Sequence, residues 1–79
     1  MDTKQVTIYS TPSCHFCKAA KEFFTENKVT YTEFNVASDL EKRKEMIEKS
    51  GQMGVPVISI GSDIVVGFDE DRLKELLAV

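Results

Sequence analysis

Residues 6–17 of the 79-residue chain read Val6-Thr7-Ile8-Tyr9-Ser10-Thr11-Pro12-Ser13-Cys14-His15-Phe16-Cys17. The first part is an apolar run rich in β-branched residues, which predicts a strand that the proline then ends. Apolar residues recur at helical spacing from Cys14 onward. The two cysteines are the only ones in the chain. Their spacing puts both sulfurs on the first turn of the predicted helix, with Cys14 at its cap.

Two thiols at a helix start have a specific chemistry. The unpaired N–H groups and partial positive charge of a helix N-terminus favour an anion, which here is the thiolate of Cys14. A stabilised thiolate attacks a disulfide, and a neighbouring thiol then releases the product by forming an internal disulfide. The pair therefore predicts a dithiol–disulfide exchange domain in which Cys14 and Cys17 are the catalytic residues.

Other roles for the cysteine pair fit the sequence less well. A structural zinc site needs about four ligands, whereas this chain offers two cysteines and one histidine, His15. A structural disulfide would close a very short loop and add little stability. Two alternatives stay open. Two chains could together carry a metal or an iron–sulfur cluster through Cys14 and Cys17, or the chain could bind a partner without catalysis.

The composition limits the partners. The length predicts one domain, residues 1–79, and 42% apolar residues are ordinary for a globular protein. A net charge of −3 argues against nucleic acid as a partner. No stretch approaches the ~20 apolar residues of a membrane span, and the polar N-terminus does not resemble a signal peptide. We therefore expect a cytoplasmic monomer with no bound metal or cofactor, in a compartment that keeps thiols reduced.

The residue patterns predict seven elements in the order β-α-β-α-β-β-α. Strands are expected at 5–10, 30–36, 55–60 and 64–66, and helices at 15–27, from near 39 to about 50, and from 69 to the C-terminus. A capping box at 38–41 should start the second helix and Gly51 should end it. The expected buried positions of the helices are Phe16, Cys17, Ala19, Ala20, Phe23 and Phe24, then Leu40, Met46 and Ile47, then Leu73, Leu76 and Leu77. The fold class is α/β, a four-stranded mixed sheet with three helices on its faces.

Three features spread over this order carry a resemblance to a known family. They are the Cys14–Cys17 pair after the first strand, Val55-Pro56 at the third strand, and Gly67-Phe68-Asp69-Glu70 before the last helix. Together they closely resemble the glutaredoxins, which have the thioredoxin fold, and the resemblance covers essentially the whole chain.

The resemblance implies roles for single residues. Cys14 would be the exposed nucleophile and Cys17 the more buried resolving thiol. The Val55–Pro56 bond would be cis and face the thiols, so that the Val55 main chain pairs with an extended substrate. Asp69 and Glu70 could meet an ammonium group, and Gln52 could donate a hydrogen bond. The residues expected to bind substrate or glutathione are His15, Phe16, Val55, Pro56, Gly67, Phe68 and Asp69.

The chain also departs from the usual glutaredoxin pattern. His15-Phe16 replaces Pro-Tyr between the cysteines, Thr11 replaces a lysine, and Gly54 replaces a threonine. The Val66-Gly67-Phe68 turn is similar to that of sister redoxins that are recharged by thioredoxin reductase and donate electrons to ribonucleotide reductase. The expected partners are therefore disulfide-containing proteins, and the expected reductant is either glutathione, as co-substrate, or thioredoxin reductase.

Overall fold

A computed structural model describes residues 5–51 and 54–78 of the chain. The strands and helices follow one another in the predicted order, and their ends differ from the predicted ones by no more than two residues. The four strands are β1 (Val6–Ser10), β2 (Tyr31–Asn35), β3 (Val57–Ile60) and β4 (Asp63–Val66). The three helices are α1 (His15–Glu26), α2 (Leu40–Ser50) and α3 (Glu70–Leu77). The α/β class and the thioredoxin-like order β-α-β-α-β-β-α are confirmed.

The strand order across the sheet is β2-β1-β3-β4. β1 and β2 are parallel, whereas β3 runs antiparallel to both of its neighbours. Consequently β1, β2 and β4 point the same way and end at the same edge of the sheet. A helix follows each of them, so the N-termini of all three helices lie at this edge, which we call the thiol edge because it carries Cys14.

The sheet is covered on both faces. Val6 and Ile8 of β1 belong to the cluster that α1 and α3 complete, with Phe24 and Leu73 fully buried. On the other face Tyr9 packs in a smaller cluster with residues of α2 and β3, among them Met46 and Val57. The alternation in β1 predicts this division, since side chains two residues apart share a face.

The predicted apolar stripe of α1 is confirmed for Cys17, Ala20, Phe23 and Phe24, all of which are buried. It is wrong for Phe16, whose side chain is 60% exposed. Phe16 lies in the first turn of α1, where Cys17 takes the buried side and Phe16 is left toward solvent.

Two details of α2 also differ from the prediction. Its N-cap is Asp39, whose carboxylate accepts from the Lys42 N–H at 3.1 Å, while the Ser38 hydroxyl turns back to the Asn35 carbonyl. The capping box is therefore wrong by one residue. Leu40, the first residue of α2, is 66% exposed, so its predicted burial is wrong. Gly51 ends the helix with φ of 77°, as predicted.

The last helix follows its prediction closely. Asp69 caps α3 by accepting from the Arg72 N–H at 3.2 Å. Leu73 is fully buried, and Leu76 and Leu77 are partly buried against the same core. Across the described parts of the chain, none of the helices has the length and apolar character needed to cross a membrane.

Candidate active site

Cys14 is the N-cap of α1. Its backbone is extended, and its Sγ accepts a hydrogen bond from the Cys17 N–H at 3.1 Å. The Cys14 N–H donates to the Thr11 carbonyl at 3.2 Å, which closes the turn between β1 and the helix. The two cysteines form a disulfide, with their Cα atoms 5.2 Å apart. Cys14 is partly exposed, whereas Cys17 is 1% exposed.

The three helix starts differ in their charges. Asp39 and Asp69 cap α2 and α3, and further acidic residues lie in the first turns of both helices. The first turn of α1 has no acidic residue. At α1 the sulfur of Cys14 occupies the place that a carboxylate occupies at the other two. An anion on Cys14 therefore meets the N–H groups of α1 without competition from a carboxylate of that turn.

Val55-Pro56 and Gly67 lie at the same edge as the thiols. The Val55–Pro56 peptide bond is cis, which confirms the expectation drawn from the resemblance. Pro56 is buried, and its carbonyl accepts from the Gly67 N–H at 2.8 Å. Gly67 has φ of 81°, a left-handed conformation that glycine adopts with little strain. Val57, the residue after the proline, pairs across the sheet with Tyr9, which precedes the cysteine loop.

The other expected binding residues divide into two groups. The side chains of His15 and Phe16 are exposed at the start of α1, with ring centroids 5.7 Å apart and ring planes nearly perpendicular. Phe68 instead packs on Phe23, with centroids 6.0 Å apart, and Asp69 serves as the cap of α3. The side chains of Phe68 and Asp69, which were expected to bind substrate, therefore have structural roles.

Thr11 and Gly54, which depart from the usual pattern, are half-buried and exposed respectively. Gln52 lies outside the described residues. Within residues 5–51 and 54–78, the His, Cys, Asp and Glu side chains form no group of three or more that could hold a metal ion.

A carboxylate with no predicted role joins β1, β2 and α1. Glu33 accepts from the buried Ser10 hydroxyl at 2.7 Å and from the Lys21 ammonium at 2.8 Å, both at Oε2. These bonds, with that from Lys21 the stronger influence, hold the pKa of Glu33 below its usual range. The sequence places Glu33 on the same face of β2 as Tyr31, but only the packing of Tyr31 on Phe24 shows that this face turns toward α1.

A second polar contact fastens α2 to the opposite face. The hydroxyl of Tyr9, a fully buried residue, donates to the Glu45 carboxylate. Burial, and then the bond to Glu45, raise the pKa of Tyr9 above its usual range. The same bond, assisted by Lys42 and Lys49, lowers the pKa of Glu45. The sequence predicted Tyr9 only as an apolar strand residue, because its partner lies 36 residues away.

Comparisons with known proteins agree with this geometry. The glutaredoxin family model matches residues 6–65, a range that includes both cysteines and Pro56. A glutaredoxin-like 8.6 kDa protein of the rubredoxin operon of Clostridium pasteurianum is 42% identical over 72 residues, which are 91% of this chain and 96% of that protein. The glutaredoxin-like protein NrdH of Lactococcus lactis is 31% identical over 74 residues, 90% of this chain and 97% of that protein.

Among solved structures, the glutaredoxin of Archaeoglobus fulgidus superposes with a TM-score of 0.87 at 26% identity, covering 96% of this chain and 88% of that one. The family match over most of the chain, the shared fold and the cysteine pair at the start of α1 lead to one conclusion. The chain belongs to the glutaredoxin family of thiol–disulfide oxidoreductases.

Proposed function

We propose that this chain reduces disulfides by a dithiol mechanism, with Cys14 as nucleophile and Cys17 as resolving thiol. The observation that carries the proposal is the unequal placement of the two sulfurs. Cys14 is partly exposed and caps a helix whose first turn lacks carboxylates, whereas Cys17 is buried within bonding reach of it. The more accessible cysteine suits attack on an incoming disulfide, and the buried one suits attack on Cys14.

The proposed cycle moves two electrons. In the reduced protein the Cys14 thiolate attacks one substrate sulfur. The substrate S–S bond breaks, and the first substrate thiolate leaves and takes up a proton. Cys17 then loses its proton and attacks Cys14 Sγ, which breaks the mixed disulfide and releases the second substrate thiol. The substrate is reduced to two thiols, and the Cys14–Cys17 disulfide, present in this structure, is the oxidised product.

The proposal assigns substrate contacts to the surface beside the thiols. Phe16 offers an exposed apolar ring, and His15 lies against it. We assign pairing with an extended substrate to the main chain of Val55, as in an added strand, because Pro56 has no N–H and its carbonyl already accepts from Gly67. Of the remaining assigned residues, Phe68 and Asp69 would act through their main-chain N–H groups, since their side chains are used elsewhere. The Gly67 N–H already donates to the Pro56 carbonyl, so Gly67 would contribute by setting the turn that precedes them.

Cysteine variants test the mechanism. Cys14→Ser is expected to abolish reduction of a small disulfide such as hydroxyethyl disulfide. Cys17→Ser should still form the mixed disulfide and accumulate it. Serine is a favourable N-cap, so the circular dichroism spectrum of Cys14→Ser should match that of the wild type. An active Cys14→Ser protein, or a Cys17→Ser protein that traps nothing, would refute the assignment.

An ultraviolet titration of the reduced protein tests the thiolate directly. We expect Cys14 to ionise at lower pH than a free cysteine, whose pKa is about 8.5, because the α1 amides favour the anion. The Cys17→Ser variant isolates the signal of Cys14. An ionisation no easier than that of free cysteine would remove the basis of the proposal.

A second candidate concerns the reductant. The similarity to an NrdH protein and the Thr11 and Val66-Gly67-Phe68 departures favour a redoxin recharged by thioredoxin reductase, with ribonucleotide reductase as electron acceptor. The resemblance to glutaredoxins implies glutathione as co-substrate. One assay run twice discriminates the two, once with glutathione and glutathione reductase and once with thioredoxin reductase. Turnover in only one of the two assigns the reductant.

The remaining parts of the proposal concern the state of the protein. We propose a single domain, residues 1–79, acting as a monomer in the cytoplasm with no resident metal or cofactor. The alternative, a two-chain carrier of a metal or iron–sulfur cluster, stays a prediction. Colour, bound metal and a dimeric elution volume after anaerobic purification would favour the carrier over the monomer.

A further inference from the structure

A groove of about 480 Å³ runs between α1 and the edge strand β2, on the face that carries α1. One wall is a stripe of α1, since residues three, four and eight positions apart lie on the same side of a helix. This stripe includes Lys18, Lys21, Glu22 and Glu26. Tyr31 and Glu33 line the other wall. The ring of Tyr31 packs on Phe24, with centroids 5.2 Å apart, so this wall is fixed to the core.

Charge changes sign along the groove. Lys18 directly follows Cys17 and is exposed at the end near the thiols, while Glu22 and Glu26 are exposed toward the far end of α1. In the middle, Lys21 is neutralised by its 2.8 Å ion pair with Glu33. The groove is therefore positive next to the thiols and negative away from them.

The dimensions of the groove suit an extended peptide. Lys18 and Glu26 are eight positions apart, which is about 12 Å along the helix axis at a rise of 1.5 Å per residue. Four residues of a β-strand span about 13 Å, and side chains an even number of residues apart point to the same face. β2 lies at one end of the sheet and, among the described strands, pairs only with β1. Its outer edge is thus open to an added strand.

We propose that this α1–β2 groove binds an extended stretch of a substrate protein next to its disulfide, with an acidic side chain near the disulfide and a basic side chain about four residues farther away. The inference rests on the proposed function, since it names the class of disulfide that Cys14 reduces. The acidic side chain meets Lys18, and the basic side chain meets Glu26.

Two synthetic peptides of identical composition test the proposal. Each carries an intramolecular disulfide flanked on both sides by extended segments. In one peptide aspartate lies near the disulfide and lysine four residues farther out, and in the other the order is reversed. Pre-reduced protein is mixed with excess peptide in single-turnover reactions, and the peptide thiols are quantified by chromatography. Hydroxyethyl disulfide is run in parallel as an uncharged probe.

We expect the wild type to reduce the aspartate-near peptide about three- to tenfold faster, the range that two exposed charge pairs provide. The preference should fall toward unity at high salt, because exposed charges are screened. The double variant Lys18→Glu/Glu26→Lys keeps the net charge and should invert the preference. Both changes also complement the dipole of α1, so the helix should be retained. Comparing two peptides within one variant cancels any effect on Cys14 itself.

A matched control exchanges charges on another helix. Lys44→Glu/Glu48→Lys makes the same exchange on exposed residues of α2 and should leave the preference of the wild type unchanged. Equal rates with the two peptides, or a preference that the α1 exchange fails to invert, would overturn the inference. If hydroxyethyl disulfide is not reduced either, the proposed function itself has failed.

Discussion

Replacing Glu33 by glutamine should destabilise the protein measurably. The carboxylate accepts from the Ser10 hydroxyl at 2.7 Å and from Lys21 at 2.8 Å. A hydrogen bond to a charged group contributes about 1.5–3 kcal/mol, against about 1 kcal/mol for a neutral one. The ion pair adds less than about 1 kcal/mol, since the side chains are 32% and 38% exposed. Glutamine keeps an acceptor for Ser10, so we expect a net loss of about 1–2 kcal/mol.

The assay is denaturant unfolding of Glu33→Gln and the wild type, followed by circular dichroism. In a domain of this size each kcal/mol lowers the melting temperature by about 4–8 °C, which gives a second readout. The folded-state pKa of Glu33 is lowered. Its contribution is therefore fully present above the unfolded-state pKa of about 4.3 and is lost as pH falls through the folded-state value. The difference between the proteins should be constant from pH 6 to pH 8 and shrink below about pH 4.

The control is Glu22→Gln, which removes the same charge from an exposed position of α1 in the same groove. It should change stability by less than about 0.5 kcal/mol. The reasoning is refuted if Glu33→Gln unfolds together with Glu22→Gln at pH 7. It is also refuted if the loss in Glu33→Gln persists undiminished after the carboxyl groups are protonated.

Three further predictions concern stability. Tyr9→Phe removes the hydroxyl that donates to Glu45 and should lower the unfolding free energy by about 1.5–3 kcal/mol at pH 7. Because the pKa of Glu45 is lowered in the fold, this loss should diminish in acid. An equal loss at every pH would contradict the prediction. Leu73→Ala empties a fully buried position and should cost about 2–5 kcal/mol, whereas Leu40→Ala, at a 66% exposed position, should cost less than about 0.5 kcal/mol, both measured by denaturant midpoint. Asp69→Ala removes the cap of α3 and should cost about 0.5–2 kcal/mol, with hydrogen exchange accelerated in that helix and not elsewhere.

The sequence predicted the local parts of the active site well. Cys14 at a helix cap and Asp69 at another follow from short patterns, because a cap is made by residues three positions apart. The place of Pro56 required more than the residues themselves. An arbitrary X-Pro bond is rarely cis, and it was the resemblance to a family that pointed to the conformation now found.

By itself, the sequence determined the order of the seven elements, their approximate ends and the pair of thiols at the start of α1. Those features depend on residues close together in the chain, whose spacing is readable directly. Only the tertiary structure decided that β3 lies between β1 and β4, that Glu33 meets Ser10 and Lys21, and that Phe16 is exposed. These features involve residues many positions apart, so they depend on how the strands are arranged and how the helices pack on the sheet, which no short stretch of residues specifies.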